Sequence, residues 1–138
     1  VAAVYAVTAV VIGVVLGVVF QLAHCVEQAD FPLELGSGRM AAPWAVHQVE
    51  TSVDFARENR VASWLFGGLN FQIEHHLFSR ICHVNYPAIA PLVEKTCREF
   101  GIRYKHNATV LSALRSHYRW LRAMGREDAP AHPAMSPA

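Results

Sequence analysis

The residues with the most chemical potential in this chain stand together at Gln72, His75 and His76, within the stretch GGLNFQIEHHLFSRICHVNYP that runs from 67 to 87. On a helix that turns about 100° per residue, the three side chains fall within an arc of about 100°, and Glu74 projects to roughly the opposite side. The two adjacent imidazoles diverge by that same angle, which suits two neighbouring metal ions better than one. Such a pattern points to a dinuclear centre whose remaining ligands come from elsewhere. Imidazole serves iron, zinc and copper alike, so ligand type alone does not choose the metal. The chain has no HExxH, no Glu-x-x-His and no nucleophile elbow, which argues against a zincin, a ferritin-like carboxylate centre and an α/β-hydrolase. A histidine pair in isolation is more often an ordinary hydrogen-bonded pair than a ligand set, so the surroundings must decide.

Those surroundings begin with an apolar helix. No charged residue precedes Glu27, and Val1–Phe20 (VAAVYAVTAVVIGVVLGVVF) is long and apolar enough to cross a bilayer. It has neither the basic start nor the short apolar centre of a secretory signal. Without an initiator Met, the sequence is expected to begin in mid-protein. All twelve Lys and Arg follow this run, which by the positive-inside tendency puts the C-terminal side in the cytoplasm. Gly13 and Gly17, at GxxxG spacing, either admit a neighbouring membrane helix or reflect a Gly/Val/Ala-rich run.

The net charge of +1 gives no polyelectrolyte argument for nucleic acid. Cys25, Cys82 and Cys97 form no CxxC pair and read as reduced thiols.

Residues 27–44 carry the Pro, Gly and Ser of a loop. Helix is expected over 45–59, where Glu50 and Asp54, one turn apart, either orient His47, salt-bridge Arg57 or simply form a polar surface. A second helical piece is expected over 61–78, interrupted near Gly67–Gly68. A third runs from a cap at Asn85, with Pro87 in its first turn and Pro91 unsettled, to a stop at Gly101. A fourth lies within 107–125, where Arg115, Arg119, Arg122 and Arg126 read as a solvated basic face before a touch to headgroups, a CoA phosphate or a redox donor. The Pro/Ala-rich tail, 126–138, is expected to be disordered. The predicted fold is therefore all-α: an integral membrane helical fragment, with one transmembrane helix (about 1–23) and cytoplasmic helices over about 45–125 bearing the histidines.

WAVHQVETSVDFA, GGLNFQIEHHLF and YPAIAPLVEKTCREFGIRY together resemble the C-terminal part of the membrane fatty acid desaturases, over roughly residues 1 to 105. The closer similarity is to the front-end (delta-6, linoleoyl-CoA desaturase-like) type, whose last histidine box begins with Gln. The resemblance implies an O2-dependent di-iron desaturase that introduces a double bond into a fatty acyl chain. It implies His75 and His76 as iron ligands, Gln72 as a weak ligand or an orienting group, and His47 as a further ligand or a supporting residue. His83 would either support the ligands or pack beside the site, and Glu50 and Asp54, from their own spacing, are further candidates for that supporting role. Where relatives often have Pro and His, this chain has Ser79 and Asn85. The resemblance further implies two iron ions, an acyl-CoA or acyl-lipid substrate, contact with membrane lipids, and an external donor of ferredoxin or cytochrome b5 type. The two upstream histidine boxes are absent from the chain, so this part alone is expected to be inactive. A sphingolipid desaturase, an acyl hydroxylase or a non-catalytic membrane remnant remain alternatives.

Overall fold

The computed structural model describes residues 1–32, 40 and 42–126. The C-terminal tail beyond Arg126 and most of the loop at 33–41 lie outside the described residues, and so do the expectations made for them.

Helix α1 (Ala2–His24) is apolar throughout, and among the described residues it is the one helix long and apolar enough to cross a membrane. Only its last turns are covered, through Val19, Leu22 and Ala23. The shorter elements follow: α2 (Trp44–Glu50), β1 (Asp54–Phe55), α3 (Arg60–Leu65), α4 (Gln72–Leu77), a 3₁₀ turn (His83–Asn85), α5 (Tyr86–Glu99), β2 (His106–Asn107) and α6 (Val110–Met124). The structure is thus mostly helical, as expected, with one departure. Strands β1 and β2 pair in parallel, Asp54 opposite His106 and Phe55 opposite Asn107. The helix expected over 45–59 ends at Glu50, with Thr51 as its C-cap. Beyond it the backbone turns outward for partners: Val53 N–H donates to Ala23 C=O, and Asp54 N–H to Lys105 C=O. Glu50 and Asp54 are therefore not one helical turn apart.

Two apolar clusters carry the packing. One joins Val19, Leu22 and Ala23 of α1 to Phe55, Ala62 and Ala113. The other joins Val49 of α2, Ile73 of α4, and Val93 and Cys97 of α5. The first ties the end of α1 to the elements that follow it, and the second fixes α4 between α2 and the long amphipathic α5. Helix α5 runs through Pro91 unbroken and stops at Gly101, whose φ of +70° places Ile102 N–H on Cys97 C=O and Gly101 N–H on Arg98 C=O. Thr109 and Ser112 close a reciprocal capping box at the start of α6.

The break expected at Gly67–Gly68 separates α3 from α4, and both glycines adopt positive φ (+58° and +78°). They differ in surroundings. A Cβ on Gly68 would lie 2.8 Å from His83 Cβ, whereas one on Gly67 would meet nothing within 4 Å. Gly67→Ala is expected to cost about 1–2 kcal/mol, from backbone alone. Gly68→Ala must also displace the turn at His83–Asn85 and is expected to cost more, which thermal unfolding of the two variants side by side would measure.

Candidate metal centre

Three imidazoles converge where α1 ends against α4. The ring of His76 lies 5.1 Å from that of His24 and 5.9 Å from that of His75, both edge-on. His24 is the last residue of α1, and its Nδ1 is 3.1 Å from Thr51 C=O. Sequence reasoning gave His24 no role, because only the tertiary fold joins residues so distant in the chain. Tyr86, buried beneath the box, sets its hydroxyl 3.5 Å from His75 Nδ1.

The tautomer of His76 follows from its neighbours. Gln48 Oε1, which can only accept, stands 2.6 Å from His76 Nδ1, so the ring proton is on Nδ1. The lone pair on Nε2 then accepts from the Gln72 amide at 3.0 Å. Burial, followed by the charges of His24 and His75, brings the His76 pKa down to about 4. The ring is therefore neutral near pH 7, the form that binds metals. Gln72 is buried and its Oε1 has no partner, so its amide occupies the His76 lone pair while its own oxygen remains unsatisfied. Rotation of that amide would release Nε2 and offer Oε1 in its place.

The other expected residues are less close. His47 lies on α2 beside Gln48, and its buried Nδ1 has no partner. Among the described residues, no hydrogen bond or ring contact joins it to the cluster. His83 is exposed and packs on Gly68. Among the described residues no hydrogen bond joins either acid to His47, and its buried Nδ1 has no partner. Glu50 is buried with Oε2 unpartnered, while its backbone carbonyl accepts from Lys105 Nζ at 3.1 Å. Asp54 faces the opposite side of α4, accepting from Ile73 N–H at 3.0 Å. Nor does Asp54 hold Arg57, which pairs with Glu94 at 3.0 Å. The physical reason is the end of α2 at Glu50: as a strand residue, Asp54 points where a helical one would not.

The donor set suits a metal held by imidazoles. The neutral His76 ring with its fixed tautomer and two orphaned buried polar atoms, Gln72 Oε1 and His47 Nδ1, fit such a site. Among the described residues no group of three His, Cys, Asp or Glu side chains could hold a metal ion unaided, so such a site would need further ligands.

The fatty acid desaturase family model matches residues 1–108, from α1 through β2. The chain is 46% identical over 112 residues to the sn-1 linoleoyl-lipid 6-desaturase of Arthrospira platensis, covering 81% of this chain and 30% of that protein. It is 42% identical over 121 residues to the protein of that name in Synechocystis sp., covering 87% and 34%. The acyl-lipid (8-3)-desaturase of Physcomitrium patens is 44% identical over 123 residues, covering 89% and 25%. The chain thus spans about a third or less of these relatives. No solved structure matches it significantly. With the Gln-x-x-His-His box set on α4 and the family match running from α1 to β2, the chain belongs to the fatty acid desaturase family.

Proposed function

We propose that the chain is the C-terminal, box-bearing part of an O2-dependent di-iron desaturase acting on fatty acyl chains of lipids. The observation that carries this reading is the meeting of His24, His75 and His76, with His76 held neutral and turned by Gln48. His75 and His76 would hold iron, His24 and His47 are the nearest further imidazoles, and Gln72 is a ligand or the group that guards the His76 lone pair. When bound, iron supplies with O2 the oxidising power needed to remove hydrogen from an unactivated methylene.

The chain's own residues do the rest. Gln48 fixes the proton on His76 Nδ1, Tyr86 meets His75 from below, and the packed α2, α4 and α5 keep water from the rear of the site. Helix α1 would cross the membrane, with the box at its cytoplasmic end, where an acyl tail can enter from the lipid side. Residues 1–125 would form one unit of the catalytic domain. Electrons would come from an external ferredoxin or cytochrome b5-type donor. An acyl-lipid substrate is preferred over acyl-CoA because the relatives named above are lipid-acting desaturases.

The test is expression from the complete coding sequence in a host lacking the product. Two irons per chain and new double bonds in lipid-bound acyl chains are expected, measured by metal analysis and by mass spectrometry of the lipids. A protein that is inserted but holds no iron and forms no product overturns the reading in favour of a non-catalytic remnant. Hydroxylated chains would indicate an acyl hydroxylase instead, and a double bond in a sphingoid base a sphingolipid desaturase.

A further inference from the structure

The face of α4 opposite the histidines carries a buried polar cluster that the box itself does not use. Asp54 Oδ1 accepts Ile73 N–H at 3.0 Å, within the first turn of α4. The Tyr104 hydroxyl lies 2.5 Å from Asp54 Oδ2 and 2.9 Å from Glu74 Oε1. Arg57 donates to that hydroxyl at 3.2 Å, sits over the Tyr104 ring at 5.1 Å, and is held by Glu94. Asp54 and Glu74 are both fully buried. One hydroxyl proton cannot serve two carboxylates at once, so the network is complete when Asp54 carries a proton of its own. Burial, followed by the charge of Glu74, raises the Asp54 carboxyl well above the usual range.

Helix α4 needs this support. It has six residues and no side-chain cap at its N-terminus, too few to be stable without tertiary contacts. Ile73 N–H fixes its start, and Glu74 fixes its rotation from the side opposite Gln72, His75 and His76.

We propose that Tyr104 is a positioning residue of the metal centre: by bridging Asp54 and Glu74, its hydroxyl sets the rotation of α4 and so the aim of His75 and His76. The inference rests on the reading of the box as iron-binding, and the experiment separates the two. Tyr104→Phe, Asp54→Asn and the double variant are compared in the intact protein. An asparagine at 54 still accepts from Ile73 through Oδ1, and its Nδ2 donates to Glu74 without the hydroxyl.

In metal-free protein, Tyr104→Phe is expected to speed amide exchange over 72–77 about tenfold, the equivalent of one lost hydrogen bond to a charged group. Iron affinity should fall roughly 10–100-fold, with a changed absorption spectrum for the iron that does bind. The double variant should return exchange, affinity and spectrum to near wild type. Wild-type exchange and spectrum in Tyr104→Phe overturn the proposal, as does a folded double variant with no rescue. If Tyr104→Phe does not fold, Asp54→Asn and the double variant decide by the same readings. A wild-type protein that binds no iron removes the iron reading, while the exchange rates still decide whether Tyr104 holds α4.

Discussion

His76→Ala is expected to abolish new double bonds and to weaken iron binding by more than about 100-fold, beyond the 10–100-fold typical of losing a residue that only orients a ligand. The reason lies in the double engagement of this ring. Its Nδ1 is committed to Gln48, and its Nε2, opposite Gln72, is the one nitrogen left for a metal. Gln48→Leu supplies the comparison. It leaves the imidazole in place but removes the acceptor that fixes its tautomer, so iron affinity should fall only within the 10–100-fold range. Metal analysis of both purified variants, with lipid mass spectrometry, measures the difference. Full iron and product in His76→Ala would remove it from the ligand set.

Phe55→Ala is the substitution with the largest expected effect on stability, about 3–5 kcal/mol. The side chain has no exposed surface and packs with Val19, Leu22 and Ala23 of α1, Ala62 of α3 and Ala113 of α6, its ring 5.6 Å from that of Phe66. It is the largest fully buried residue in the cluster that ties the apolar helix to the polar elements, so its loss leaves a cavity that its neighbours cannot fill. Against a total stability of about 5–15 kcal/mol for an ordinary domain, this is a large share. Limited proteolysis and denaturant titration in detergent should show the segment after α1 opening while α1 stays helical. Leu121→Ala, on the exposed face of α6, should stay within about 0.5 kcal/mol of wild type.

Much of this architecture was legible in the residues because it depends on local chemistry. The charge-free run predicts α1, the Gly67–Gly68 pair predicts the break before α4, and Gly101 predicts the end of α5. The face shared by Gln72, His75 and His76 follows from helical spacing alone.

What stayed hidden is long-range. His24 meets His76 only because α1 and α4 pack at the same end of the fold. Gln48 sits beside a histidine that drew the attention, yet it is Gln48 that touches the box. Asp54 looks like a polar helix-surface residue because the sequence around it stays polar. Its carboxylate is in fact taken by an amide nineteen residues later and by Tyr104, fifty residues later. No spacing rule carries information over such separations, whereas a buried acid needs a partner wherever the fold supplies one.

The pairing of β1 with β2 also sets a timetable for synthesis. Asp54 and Ala56 take their backbone partners, Lys105 and Asn107, from chain made after the box. About 30 residues separate the end of α4 from Asn107, or roughly 2–6 s of translation at ordinary rates. During that interval the histidines exist as sequence without the support that aims them, so a metal arriving early would find an unorganised site. On the proposed reading of the box, loading would wait until the ribosome has passed the second strand, and a nascent chain stalled before Asn107 should take up little iron however long it is held.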